Sequence, residues 1–134
     1  MLLVHVVYKP EMPRRKPLSD EDLQLIDRFI ERNRQEAVRY LEQMECQMPI
    51  ECHTRLIISD NVENSLHDLV EQEQIDLVLM SAHGYSGSRR QPFGNVTTNF
   101  IEYGSSHLLI VQDIPAEEVE PTRAELAVEQ RKGH

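Results

Sequence analysis

The chain has no tryptophan, two cysteines and five glycines in 134 residues, and its 14 Lys and Arg are outnumbered by 23 Asp and Glu. Each scarcity excludes something. Cys46 and Cys52 are too few for a disulfide scaffold, so they read as reduced thiols of a protein expected in the cytoplasm. A formal net charge of -9 repels nucleic acid and anionic membranes and argues against both as general partners. No apolar run approaches the roughly 20 residues that a membrane helix needs. The opening MLLVH has neither a basic region nor a small-residue cleavage site, so no signal peptide is expected. The six histidines, His5, His53, His67, His83, His107 and His134, show no i, i+4 pairing and no HExxH context, so no metal site is expected. No serine sits in a GxSxG elbow, which leaves no sign of a serine nucleophile.

What is present alternates. Leu2 to Tyr8 is short, apolar and rich in valine, as a buried parallel strand is, with His5 expected to pack and hydrogen-bond inside it. Lys9 to Leu18 holds three prolines (Pro10, Pro13, Pro17) and reads as a loop. Ser19 is a good N-cap, and Asp22 three residues later resembles a capping box. Leu23, Ile26, Ile30, Ala37, Leu41 and Met44 then recur at helical spacing, which predicts a long helix ending before Pro49. A second strand is expected over 52–59. A second helix follows, capped within Ser59 to Asn61 and striped by Val62, Leu66, Leu69 and Val70. The third strand, 76–82, is apolar on both faces, which predicts a central place in a parallel sheet. A helix over 96–103 would turn Val96, Phe100 and Ile101 inward and stop at Gly104. The last strand is 107–112. This order implies an α/β fold: an open, mostly parallel sheet with helices on both faces. Length and pattern suggest one domain over 1–113 and an acidic, loosely held C-terminal tail over 114–134.

Three of the five glycines fall in HGYSGSRRQPFGN, residues 83–95. This segment lies after the third strand and before a helix, where open parallel sheets bind ligands. Glycine lets a backbone approach a ligand closely, and amides before a helix N-terminus form an anion site. Asn95 and Thr97 offer further donors, and Arg89 and Arg90 add positive charge. Phosphate is the natural ligand of such a loop. It is neither a Walker loop nor a GxGxxG fingerprint. On spacing alone a plain turn and a phosphate site both stay open, as do a polar loop role and a phosphate contact for His83.

The stretch DLVLMSAHGYSGSRRQPFGNVTTNFIEYGSSHLLIVQD resembles the C-terminal half of the universal stress protein family. That family carries a Gly, two residues, a Gly, nine residues, then a Gly followed by Ser, Thr or Asn. Here Ser81 stands at the first position, Gly84 at the second, Gly94 at the third, and Asn95 follows. The resemblance, counting element order, runs over residues 1 to 113. It implies ATP or another adenine nucleotide, with Mg²⁺, held by Ser81, His83, Gly84, Gly87, Gly94, Asn95 and Val96. It further implies a homodimer through the last strand, Leu108 to Val111, and a regulatory role in the stress response. No catalytic residue is expected, and slow ATP hydrolysis stays open. The rival expectation is a dimeric protein-interaction module without nucleotide, acting through the long helix or the acidic tail.

Two departures bear on this. Ser81 replaces a glycine and would be strained if its φ were positive. The family's first strand and helix have no counterpart, so the domain reads as shortened at its N-terminus. In the family that strand lies between those matching Leu2 to Tyr8 and residues 76–82. Either these two neighbours pair directly, or another chain supplies a strand, or the chain is truncated; truncation and direct pairing are the favoured expectations.

Overall fold

The structure is a computed structural model and describes residues 1–10, 17–84 and 91–112. Its elements are β1 (Leu2–Tyr8), α1 (Asp20–Gln47), β2 (His53–Ser59), α2 (Val62–Gln72), β3 (Leu77–Ser81), α3 (Asn95–Tyr103) and β4 (His107–Val111). The alternation expected from the sequence is the one observed, and both ladders are parallel. The chain forms two compact units, Met1–Ser65 and the part from Leu66 onward. No helix among the described residues is long and apolar enough to cross a membrane. The segment 114–134 lies outside the described residues.

The first unit is built on β1 and β2, which pair from Leu2 with His53 through Tyr8 with Ser59. α1 packs on this ladder and buries Ala37 and Leu41. Its start is fixed locally. The Asp22 amide donates to Ser19 Oγ at 3.2 Å, and the Ser19 amide donates back to Asp22 Oδ2 at 3.3 Å. Asp20, Glu21 and Asp22 in the first turn suit the positive end of the helix dipole. On the exposed side, Arg34 forks onto both carboxylate oxygens of Glu31 at 2.7 and 2.8 Å. Hydrogen bonds from Arg34, then Gln35, hold the Glu31 carboxyl down to about 2. Cys46 is exposed, Cys52 is buried, and both are free thiols.

β1 is less buried than its composition suggests. Only Val7 is fully covered, and Tyr8 is exposed. His5 is half-buried, with its ring 5.9 Å from that of Tyr40, and the ring makes no hydrogen bond to a described residue. It is packed, as expected, but the expected hydrogen bond is not among those observed. Burial lowers its pKa from the ordinary 6.5.

The second unit carries β3 and β4, paired from Leu77 with His107 through Ser81 with Val111. The expected central strand is therefore one of two. Leu77 and Leu79, on one face of β3, are 56 and 60% exposed. Among the described residues β1 pairs with β2 and β3 with β4, so direct pairing of β1 with β3, one of the alternatives open from the sequence, is not observed. In α3 the inner face holds Thr97 and Phe100, both buried, while Ile101 is half exposed. The expectation for Ile101 fails because the buried face is centred between Thr97 and Phe100, and Ile101 lies about 70° from that centre, at the helix margin. α2 meets α3 through His67, whose ring stacks on Phe100 at 4.2 Å and whose Nε2–H donates to Asn99 Oδ1 at 2.7 Å. Gly104 ends α3 as expected, its amide donating to the Phe100 carbonyl.

Candidate functional site at the carboxyl end of β3

β3 ends at Ser81, and the chain passes through Ala82, His83 and Gly84 before it is described again from Gln91 into α3. The two sides of this loop are tied together at its base. The Gly94 amide donates to the Ala82 carbonyl at 2.7 Å, and the Ala82 amide donates to the Val111 carbonyl at 2.8 Å. The Thr97 hydroxyl donates to the Ser81 carbonyl at 2.9 Å. The Ser81 hydroxyl donates to the His83 carbonyl at 2.6 Å, and the Gln112 side-chain amide reaches the Pro92 carbonyl at 3.3 Å. Ala82, fully buried, leaves room for this close approach.

His83 is buried, 5% exposed, and its Nε2 lies 2.5 Å from the Gln91 carbonyl. A carbonyl only accepts, so Nε2 carries the proton and donates it there. The ring thus braces one side of the loop against the other. Thr97, a candidate donor for a ligand from its place in the sequence, has its hydroxyl turned onto β3 instead. The residues that face solvent are Ser81, Gly84 and Asn95, with Gly94 and Val96 half-covered. Gly87, Arg89 and Arg90 lie outside the described residues. Gln91 and Gln112 were not singled out by the sequence. Their side chain or carbonyl closes the loop base, and a polar residue bonded through backbone geometry leaves no motif.

The backbone at this site is relaxed. Ser81 has no positive φ, since Gln74 is the one non-glycine residue with one among those described. The serine at a glycine position therefore costs no strain. Gly84 and Gly94 have no positive φ either. A Cβ on Gly84 would meet nothing within 4 Å, and one on Gly94 would make ordinary contacts at 3.5 Å with Ala82 O and the His83 Cα. Gly94 is the N-cap of α3 and makes no side-chain cap. The first amides of the helix therefore lack both an intrahelical acceptor and a capping side chain.

Parallel ladders joined through helices, with a glycine-bearing loop between the end of a strand and the start of a helix, define an α/β protein. The chain belongs to the universal stress protein family, whose model matches residues 2–112. That membership places it among stress-response proteins. No curated protein and no solved structure matches the chain.

Proposed function

We propose that this stress-response protein is a regulator that binds an adenine nucleotide, ATP or ADP, through residues 81–95. The observation that carries this reading is the pair Gly84 and Gly94. Neither is required by its φ, and neither is required by crowding. A glycine that the fold does not need leaves open backbone for something else to approach. The uncapped start of α3 beside it offers amides and the positive end of a helix dipole to a phosphate. Asn95, exposed at that start, is placed to add a side-chain donor to phosphate or ribose.

The residues fit the phosphate part of the ligand. Among the described residues no cluster of His, Cys, Asp and Glu is disposed to hold a metal ion. In this reading Mg²⁺ arrives on the nucleotide's own phosphates. The role is binding and not catalysis, because His83, the nearest imidazole, is committed to the Gln91 carbonyl. The test is to denature the purified protein and identify small molecules in the supernatant by mass. The chain has no tryptophan, so bound adenine also stands out in its ultraviolet spectrum. Near-stoichiometric ATP or ADP is the expected result. Protein that carries no nucleotide and captures none on addition of MgATP contradicts the reading.

The same proposal includes a homodimer through the last strand. Among the described residues β4 pairs with β3 alone, and Leu109 and Val111 are 53 and 54% exposed. An apolar edge strand of this kind is a template for another strand. Those two residues share a face with Leu77 and Leu79, also exposed. That face favours a second reading, a nucleotide-free interaction module. The nucleotide assay separates the two.

A further inference from the structure

Where the chain leaves β3, three consecutive residues are each tied to a residue on the far side of the loop. The Ser81 carbonyl accepts from the Thr97 hydroxyl, the Ala82 carbonyl accepts from the Gly94 amide, and Nε2–H of His83 donates to the Gln91 carbonyl. Single steps along the near side, 81, 82 and 83, thus meet steps toward the loop on the far side, 97, 94 and 91. The first two ties belong to the fold, since Ala82 and Thr97 are buried where α3 meets the end of β3. The third is the one beside Gly84, and an imidazole makes it.

An imidazole is a costly choice for packing alone. A polar ring only 5% exposed has given up its water, and that destabilises the fold unless hydrogen bonds are remade inside. A leucine would fill a similar volume without that cost. The partner group lies at the surface: Gln91 is exposed, so its carbonyl can be hydrated without His83. The bond therefore adds little to stability and much to geometry. It fixes the separation between the chain entering the loop and the chain leaving it. Gly84 is the next residue on one side, and Gly94 lies three residues beyond Gln91 on the other.

We propose that His83 is a positioning residue: without touching the ligand, it holds the two ends of the loop at the spacing a nucleotide phosphate needs before the ligand arrives. This role rests on the nucleotide reading of residues 81–95. Backbone held in place beforehand is not ordered during binding, so affinity gains by the entropy already lost on folding. Nε2–H is directed at Gln91 and is not available to a phosphate oxygen. The ring acts through the backbone on its two sides, and Gly84 and the first amides of α3 make the contact.

The test compares the native chain with His83→Leu, which keeps the volume and removes the donor, and with His83→Gln, whose side-chain amide carries an N–H at a similar reach. Without nucleotide, trypsin cleavage at Arg89 and Arg90, inside the bridged span, is followed by mass. With MgATP, binding is followed by calorimetry. The leucine variant should melt as the native chain does and be cut faster at these sites. It should bind about tenfold more weakly, the effect of leaving on the order of one residue's backbone to be ordered on binding. The glutamine variant should recover most of both losses. If the native chain binds and the leucine variant is cut at the native rate or binds equally well, the proposal is overturned and the nucleotide reading stands. A loss that the glutamine variant shares in full is lost packing, and it overturns the proposal too. If the native chain binds no MgATP, the nucleotide reading fails and this role falls with it.

Discussion

The Thr97 hydroxyl donates to the Ser81 carbonyl at 2.9 Å, which ties the first turn of α3 to the last residue of β3. Thr97 is 4% exposed, so this bond is shielded from water. It works with the bond from the Gly94 amide to the Ala82 carbonyl to hold both sides of the loop at a fixed separation. The rigidity of the loop base is thus independent of any ligand.

Thr97→Val keeps the shape and removes the donor. It should cost about 1 kcal/mol, the usual net worth of one hydrogen bond plus some desolvation. Urea denaturation checks this. An unchanged midpoint would mean that the Ser81 carbonyl finds water instead.

Phe100 is the main apolar anchor of α3, 4% exposed and stacked on His67 at 4.2 Å. Phe100→Ala should cost about 3 kcal/mol, as large-to-small changes in a core do. His67→Ala should cost less, because His67 is only half-buried. The double variant should cost less than the two single changes added, since each removes the same stacked pair. Strict additivity would show that the rings contribute nothing to each other.

Ser19→Ala removes the side-chain half of the α1 capping box, the Oγ that accepts from the Asp22 amide, and keeps the backbone amide that donates to Asp22 Oδ2. A loss of about 1 kcal/mol is expected from comparable caps. Ser19→Asp should recover most of it, because a carboxylate accepts the same amide bond and suits the dipole. Thermal melts of the three proteins give the comparison.

His5 adds a dependence on pH. Burial lowers its pKa in the folded chain from 6.5. As pH falls through that value the unfolded chain takes up a proton that the folded chain refuses. Stability linked to His5 is therefore complete above 6.5 and declines below it, until the folded pKa is passed. His5→Gln should flatten this part of the profile. Denaturant midpoints measured at neutral and mildly acidic pH test it, and an unchanged slope would assign the decline to other groups.

The elements were legible because the periods are clear. The stripe from Leu23 to Met44 and the run Leu77 to Met80 each allow one kind of element, and Ser19 with Asp22 marks a start that the structure reproduces. Burial was less legible. Leu77, Leu79 and Ile101 look like core residues by type. Their exposure depends on how many strands and helices lie alongside, which no local pattern records. The loop was legible through Gly84, Gly94 and Asn95. The roles of His83 and Thr97 were not, because a polar side chain next to a loop can turn toward a ligand or back onto its own backbone. Here both turn back.

The central claim is that Gly84 and Gly94 are glycines for a ligand's sake. Calorimetric titration of MgATP into the native protein and into Gly84→Val, with the melting temperature of each, tests it most directly. Space around Gly84 is open and its φ is ordinary, so the variant should melt as the native protein does. The native chain should bind one nucleotide, and the variant should bind about tenfold more weakly or worse. Equal affinity in the two proteins, or no heat of binding in either, would contradict the account.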